Sequence, residues 1–163
     1  MGMRIGIIAI MLVAAAPASL AKKPVVTDED FKFEHVSCTG ADNEIRIIVN
    51  GVKSANGLIT VDLFPNDEET FLRGRGRISQ VRFAAKSPQT KICVLAPESG
   101  RFAMSAYHDI NANEKFDKNA IGLPAEPWGI SNNPVVRLAP PPIEKALFDV
   151  PAEGGTKVYI ELN

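Results

Sequence analysis

Apolar and polar residues alternate with a period of two through much of this chain. In residues 44–50, Ile45, Ile47 and Val49 fall on one face, with Glu44, Arg46 and Asn50 on the other; Ile59, Val61 and Leu63 repeat the pattern after Asn56-Gly57. Successive side chains of an extended strand point to opposite faces, so this alternation predicts half-buried strands. An Asn-Gly pair between two such runs signals a tight hairpin, because that turn needs positive φ, and it predicts that these two strands pair with each other. Further strands are expected at residues 78–85, 91–95, 102–107, 146–150 and 157–162. One short helix of at most two turns is expected after Asn66, with Glu69 three residues on as in a capping box, ending near Gly74. About seven short strands separated by Gly, Pro and Asn predict an all-β domain, a single antiparallel sandwich or barrel. Between Asp109 and Pro142 lie six prolines and little strand pattern. So long an irregular stretch in a small domain points to a functional or specially folded loop.

The first residues fix the expected compartment. Arg4 precedes an apolar run from Ile5 to Ala16, then Pro17 and the small-residue stretch ending at Ala21, the layout of a secretory signal peptide cleaved after residue 21. That run of about a dozen residues is short of the roughly 20 a membrane-spanning helix needs, so no transmembrane anchor is expected after cleavage. Residues 1–21 are read as the signal peptide, 22–43 as a mobile charged lead-in and 44–163 as the domain, in a periplasmic or secreted protein. Loss of Arg4 leaves 17 basic against 19 acidic residues, a balance that gives no electrostatic case for nucleic acid. Cys38 and Cys93 are the only cysteines. In an oxidising compartment they are expected to pair, closing a loop worth about 4 kcal/mol on the chain-entropy account. The alternative is two separate buried thiols.

Candidate chemistry concentrates in the irregular stretch. Asp109, Asn111, Asn113 and Asp117 have the spacing of positions 1, 3, 5 and 9 of a calcium loop, with the Lys115 carbonyl at position 7 and Glu126 as the nearest closing carboxylate. Calcium takes six to eight hard oxygen ligands, which short oxygen-bearing side chains on a curled loop can supply. Position 6, where glycine normally makes the sharp turn, is Glu114, and position 12 is Ala120. Without metal, the same side chains would brace the loop as Asx turns. His108 beside Asp109 does not make a dyad, because neighbours on a strand point apart. No Gly-x-Ser-x-Gly, His-Glu-x-x-His or zinc-type Cys-His spacing appears, so no enzyme is expected. Trp128, the only tryptophan, is a candidate stacking platform for a sugar or a cover for the core edge. Arg73, Arg75 and Arg77, interleaved with Gly74 and Gly76, form a basic stretch that could grip an anion or serve as a solvated loop.

From Tyr107 onward the pattern Tyr107-His108-Asp109-x-Asn111-x-Asn113-x-x-x-Asp117, then Gly122-x-Pro124-x-Glu126, then Gly129-x-Ser131-Asn132-Asn133, resembles the DUF2141 family of small exported bacterial proteins of unknown function. The similarity extends to Pro140, Pro141 and Pro142 with Glu144, Ala146 and Phe148, and upstream to Asn56-Gly57 and Gly100-x-Phe102-Ala103. The chain departs from the family at Glu114, commonly glycine, and at Trp128, commonly tyrosine or phenylalanine. The resemblance implies export, a transthyretin-like or immunoglobulin-like β-sandwich and an important loop; it supplies no activity. The expected function is therefore an exported binding module, its loop shaped by calcium or by Asx turns. Trp128, Ser131, Asn132 and Asn133, with Glu126, would face an envelope protein or a glycan. The alternatives are a structural accessory domain of the cell envelope and, third, a metal-dependent hydrolase built on Asp109, Asp117 and Glu126.

Overall fold

The computed structural model describes residues 38–136 and 139–163; the expected signal peptide and residues 22–37 of the lead-in lie outside the described residues. Eight strands follow in order: β1 (Glu44–Asn50), β2 (Leu58–Pro65), β3 (Ser79–Ala84), β4 (Gln89–Leu95), β5 (Gly100–Asp109), β6 (Trp128–Ile130), β7 (Phe148–Val150) and β8 (Thr156–Glu161). They form two sheets, β4-β1-β8 and β3-β2-β5-β6, with β7 pairing the start of β5. The ladders are antiparallel except for β1 beside β8. The protein is an all-β sandwich, one of the two all-β architectures the strand pattern predicts.

Between the sheets lies one apolar layer. Ile45, Ile47 and Val49 of β1 meet Ile59, Val61 and Leu63 of β2, Phe102, Met104 and Ala106 of β5, and Val158 and Ile160 of β8. Each large side chain buried there stabilises the fold by roughly 1.5–3 kcal/mol. A second, smaller cluster covers part of the outer face of the five-stranded sheet. Phe64, Ala103 and Ile130 are roofed by Phe71, Ile143, Ala146 and Leu147, and Phe64 meets Phe71 edge to face at 5.6 Å.

Several expectations change. β1 and β2 do not pair but stand in opposite sheets, because the seven residues between them carry the chain across the core. Gly57 has φ 76°, and a Cβ there would overlap the Asp109 carbonyl and come within 2.8 Å of Ile110 Cα. The glycine is needed for a crossover pressed against the end of β5, where Leu58 registers with Asp109. No helix forms after Asn66. Asp67, not Asn66, caps the turn: its carboxylate accepts the Glu69 N–H at 2.9 Å and the Thr70 hydroxyl at 2.7 Å, and a single 3-10 turn follows at Gly74–Gly76. The end of the lead-in is pinned rather than mobile. Cys38 and Cys93 form a disulfide with 5.5 Å between Cα atoms, and the buried Glu44 carboxylate accepts the N–H groups of Thr39 (2.7 Å) and Gly40 (2.9 Å). The Arg46 guanidinium at 2.6 Å, with those two N–H groups, holds Glu44 below the usual carboxylate range against the opposing effect of burial. The three-residue β6 sits inside the stretch read as irregular; it is too short for a period to register.

Candidate functional site

The outer face of the five-stranded sheet is only half covered by the Phe64 cluster. Beyond it β2, β3, β5 and β6 present Asp62, Gln80, Arg82, Tyr107 and Trp128 as the floor and wall of an open cleft of about 770 Å³. Register explains the grouping: Asp62 lies opposite Gln80, Thr60 opposite Arg82 and Tyr107, and Tyr107 opposite Trp128, so all share one face. The 66–77 turn closes one side with Leu72, Arg73 and Arg77, and the loop after β5 closes another with Glu114, Lys115, Phe116 and Lys118. Phe116 links the aromatic wall, its centroid 5.0 Å from Tyr107 and 6.3 Å from Trp128.

A polar chain runs across the floor. The Gln80 amide donates to Asp62 at 2.8 Å, Arg82 donates to the Gln80 side-chain oxygen at 2.6 Å, and Arg77 reaches Asp62 at 3.4 Å. Burial pushes the Asp62 carboxyl above its ordinary range, opposed by the Gln80 bond and the Arg77 charge, and burial likewise raises the Tyr107 phenol. Arg82 also donates to the Glu114 carbonyl at 3.3 Å, tying the loop to the sheet.

That loop is folded by its own side chains. Asp109 is fully buried, and its carboxylate accepts the N–H groups of Asn113 (3.1 Å) and Glu114 (2.7 Å). Asn111 and Asn113 close further Asx turns, Asn111 onto the Asn113 N–H at 3.0 Å and Asn113 onto the Lys115 N–H at 2.9 Å. Their amides donate to Asp117, from Asn111 at 2.8 Å and from Asn113 at 3.0 Å, and hold that carboxyl below its usual range, the Asn113 bond contributing most. A small hairpin follows, with the Lys118–Pro124 bridge at its waist and the Asn119 side chain accepting the Ile121 and Leu123 N–H groups. Glu126 returns beneath the curl. Its carboxylate accepts the Asp117 N–H at 3.1 Å and that of Ile110, and it is pushed up by burial and then by the nearby Asp109 and Asp117 charges.

With this geometry established, comparison with known proteins gives one finding. A family model described as an uncharacterized protein conserved in bacteria, DUF2141, matches residues 47–159. The chain belongs to the DUF2141 family. No curated protein and no solved structure matches it.

In this DUF2141 domain the residues singled out in the sequence separate into two groups. Asp109, Asn111, Asn113, Asp117 and Glu126 do come together. Glu114 takes φ 62° at the position where a calcium loop favours glycine. Among the described residues, however, Asp109, Asp117 and Glu126 do not converge to within 4.8 Å of one another, and the one acidic or thiol triple that does, Cys38, Glu44 and Cys93, is closed by the disulfide. Ser131, Asn132 and Asn133 do not line this cleft, although Asn133 borders an adjoining cavity with Glu126 and Trp128. Ser131 is fully buried; its hydroxyl accepts the Met104 N–H at 3.0 Å and donates to the Ala146 carbonyl. Asn132 donates to the Leu147 carbonyl at 2.7 Å. Asn133 accepts the Glu161 N–H at 2.8 Å and donates to the Tyr159 carbonyl at 3.3 Å, as a neighbouring strand would. These three side chains staple β6 to β5, to the turn before β7 and to the edge of β8.

His108 faces the opposite side of β5 from Asp109 and is fully buried. Its Nε2 lies 2.7 Å from the Asn56 carbonyl, which can only accept, so Nε2 carries the proton. The cleft floor of Asp62, Gln80 and Arg82 was missed in the sequence. Its signal was the polar side of the β2 and β3 alternation, which reads like any solvated face until the loop stands over it.

Proposed function

We propose that this protein is an exported binding module, periplasmic or secreted, whose ligand occupies the cleft on the outer face of the five-stranded sheet. The observation that carries the reading is that one concavity gathers the aromatic wall Tyr107, Phe116 and Trp128 together with a hydrogen-bonded polar floor. Ligand sites are typically clefts of about 300–1,000 Å³ with apolar walls and a few fixed polar groups. The disulfide fits an oxidising compartment, and no helix among the described residues is long and apolar enough to cross a membrane. A binding role is favoured over catalysis because Asp109 and Glu126 are buried and committed to backbone N–H groups rather than presented to the cleft.

The test uses a plug introduced after folding. Both native cysteines are in the disulfide, so Leu123→Cys at the exposed rim gives a unique thiol for a bulky maleimide. A thermal-shift panel of saccharides, organic acids, nucleosides and short peptides should contain a class that raises the melting temperature of the parent but not of the labelled protein. A panel with no such member would favour the structural accessory role.

Calcium is a second reading of the 109–117 loop, favoured by the left-handed turn at Glu114 and by the two N–H groups that Asp109 accepts. In that turn the Asn111 and Asn113 side chains are brought onto Asp117, at 2.8 and 3.0 Å. Asp109, Asn111, Asn113 and Asp117, with the Lys115 carbonyl and Glu126, would hold the ion, which would neutralise the repulsion among the three carboxylates. Millimolar calcium should then raise the melting temperature relative to chelator, and Asp117→Asn should abolish the rise. A loop braced only by Asx turns would show no calcium response in the parent.

A further inference from the structure

Two features that lie 51 or more residues apart in the sequence, the ends of the basic stretch at Arg73 and Arg77 and the lone tryptophan, line the same cleft. We infer that the ligand is an anionic saccharide, a pyranose bearing carboxylate or phosphate groups, stacked on the Phe116 and Trp128 wall with its anion held by the cationic rim. This inference rests on the binding-module reading above and names the chemistry of its ligand.

Charge is the first argument. The cleft is lined by five cations, Arg73, Arg77, Arg82, Lys115 and Lys118, against two carboxylates, Asp62 and Glu114. That excess of three positive charges lies on a chain whose formal net charge is −1. None of Asp109, Asp117 and Glu126 lines the cleft. Arg77 is paired with Asp62 at 3.4 Å, and Arg82 faces Glu114 at 3.9 Å. Arg73, Lys115 and Lys118 enter no ion pair among the described residues, so the excess sits on the exposed rim. A concave surface of one sign over a low-dielectric wall concentrates ions of the other sign.

Shape and polarity supply the second argument. The linked rings, inclined at 51° and 65° to one another, give a faceted apolar wall beside an open slot, and a single facet at Phe116 or Trp128 suits the C–H face of a sugar ring. The floor alternates acceptor and donor across Asp62, Gln80 and Arg82, which suits vicinal hydroxyls that both donate and accept. A purely apolar ligand would displace water from that floor and give nothing back to the donor and acceptor positions that the Asp62–Gln80–Arg82 chain leaves free.

Because Trp128 is the only tryptophan, its emission reports the cleft directly. The experiment titrates the disulfide-bonded protein with trigalacturonate, its neutral methyl ester, a sugar phosphate and inorganic phosphate. The parent should respond saturably to trigalacturonate, with the ester about tenfold weaker for the loss of a charge-assisted hydrogen bond. An Arg73→Ser, Lys118→Ser double variant should bind about tenfold more weakly and lose much of the salt dependence. Both side chains are exposed, and an unchanged melting temperature would show that the fold is intact. A response to the sugar phosphate alone keeps the inference and fixes the anion as phosphate. Equal affinity for the methyl ester, or binding of inorganic phosphate as tight as that of the sugar phosphate, overturns the anionic saccharide while the cleft remains a binding site. Silence of every sugar, with another class bound and displaced by the Leu123 label, does the same. Trigalacturonate binding that survives the label places the site elsewhere and overturns both readings.

Discussion

The two faces of the five-stranded sheet come from the same strands yet differ in kind. On the inner face Ile59, Val61, Leu63, Met104 and Ala106 join one apolar core and are almost fully buried, with His108 opposite Ile59 at the end of the face. On the outer face the intervening residues of β2 and β5 run from an apolar patch at Phe64 and Ala103, through a polar floor at Asp62 and Ser105, to the aromatic Tyr107 and the buried carboxylate of Asp109. The inner face is filled by a facing sheet, which demands only apolar volume. The outer face is roofed by loops, and loops bring polar backbone that the strand side chains must satisfy. A sandwich of this kind keeps its stability on one side of a sheet and leaves chemical variety to the other.

The contrast can be broken hardest from within. Ile59→Ala on the inner face should cost about 2–5 kcal/mol in urea unfolding, by lost transfer energy plus a cavity. A cost near that of a surface substitution would mean that the two faces are not energetically distinct. Ser131→Ala sharpens the comparison at the outer face. It strips a partner from the buried Met104 N–H and should cost about 1–3 kcal/mol, while leaving the Trp128 emission response to a cleft ligand unchanged. A lost response with little loss of stability would return Ser131 to the ligand surface.

The smallest effect is a pH dependence at Glu126. Its carboxyl is raised above the ordinary 4.5, first by burial and then by Asp109 and Asp117. A raised folded value means that the contribution of this group is fully present below pH 4.5 and is lost as pH rises through the folded value. Glu126→Gln removes that loss. In chelator it should melt slightly above the parent at neutral pH, with the difference vanishing toward pH 4. A variant less stable than the parent at neutral pH in chelator would contradict this.

Most of the strand positions were legible in the sequence, and the reason is local: Val158 and Ile160 of β8, like Ile45 and Ile47 of β1, report burial on one face through a period of two whatever they pair with. Pairing itself was not legible. Asn56-Gly57 reads as a hairpin because positive φ is its visible requirement, yet Gly57 meets the same requirement while passing the end of β5 on its way between sheets. The Asx curl at Asp109 was readable because its partners lie within eight residues. The backbone partners of Ser131, Asn132 and Asn133 were not legible because Met104, Leu147 and Glu161 lie 15 to 28 residues away.

By itself the sequence determined the all-β class, most of the strands with their apolar faces, and the curled acidic loop. These depend on side-chain period, residue type and near neighbours. Only the tertiary structure decided which strands share a sheet, and that Arg73, Asp62, Lys118 and Trp128 meet in one cleft. Such proximity is set by strand register and by where loops fold back over the sheet, and no local pattern in the chain records it.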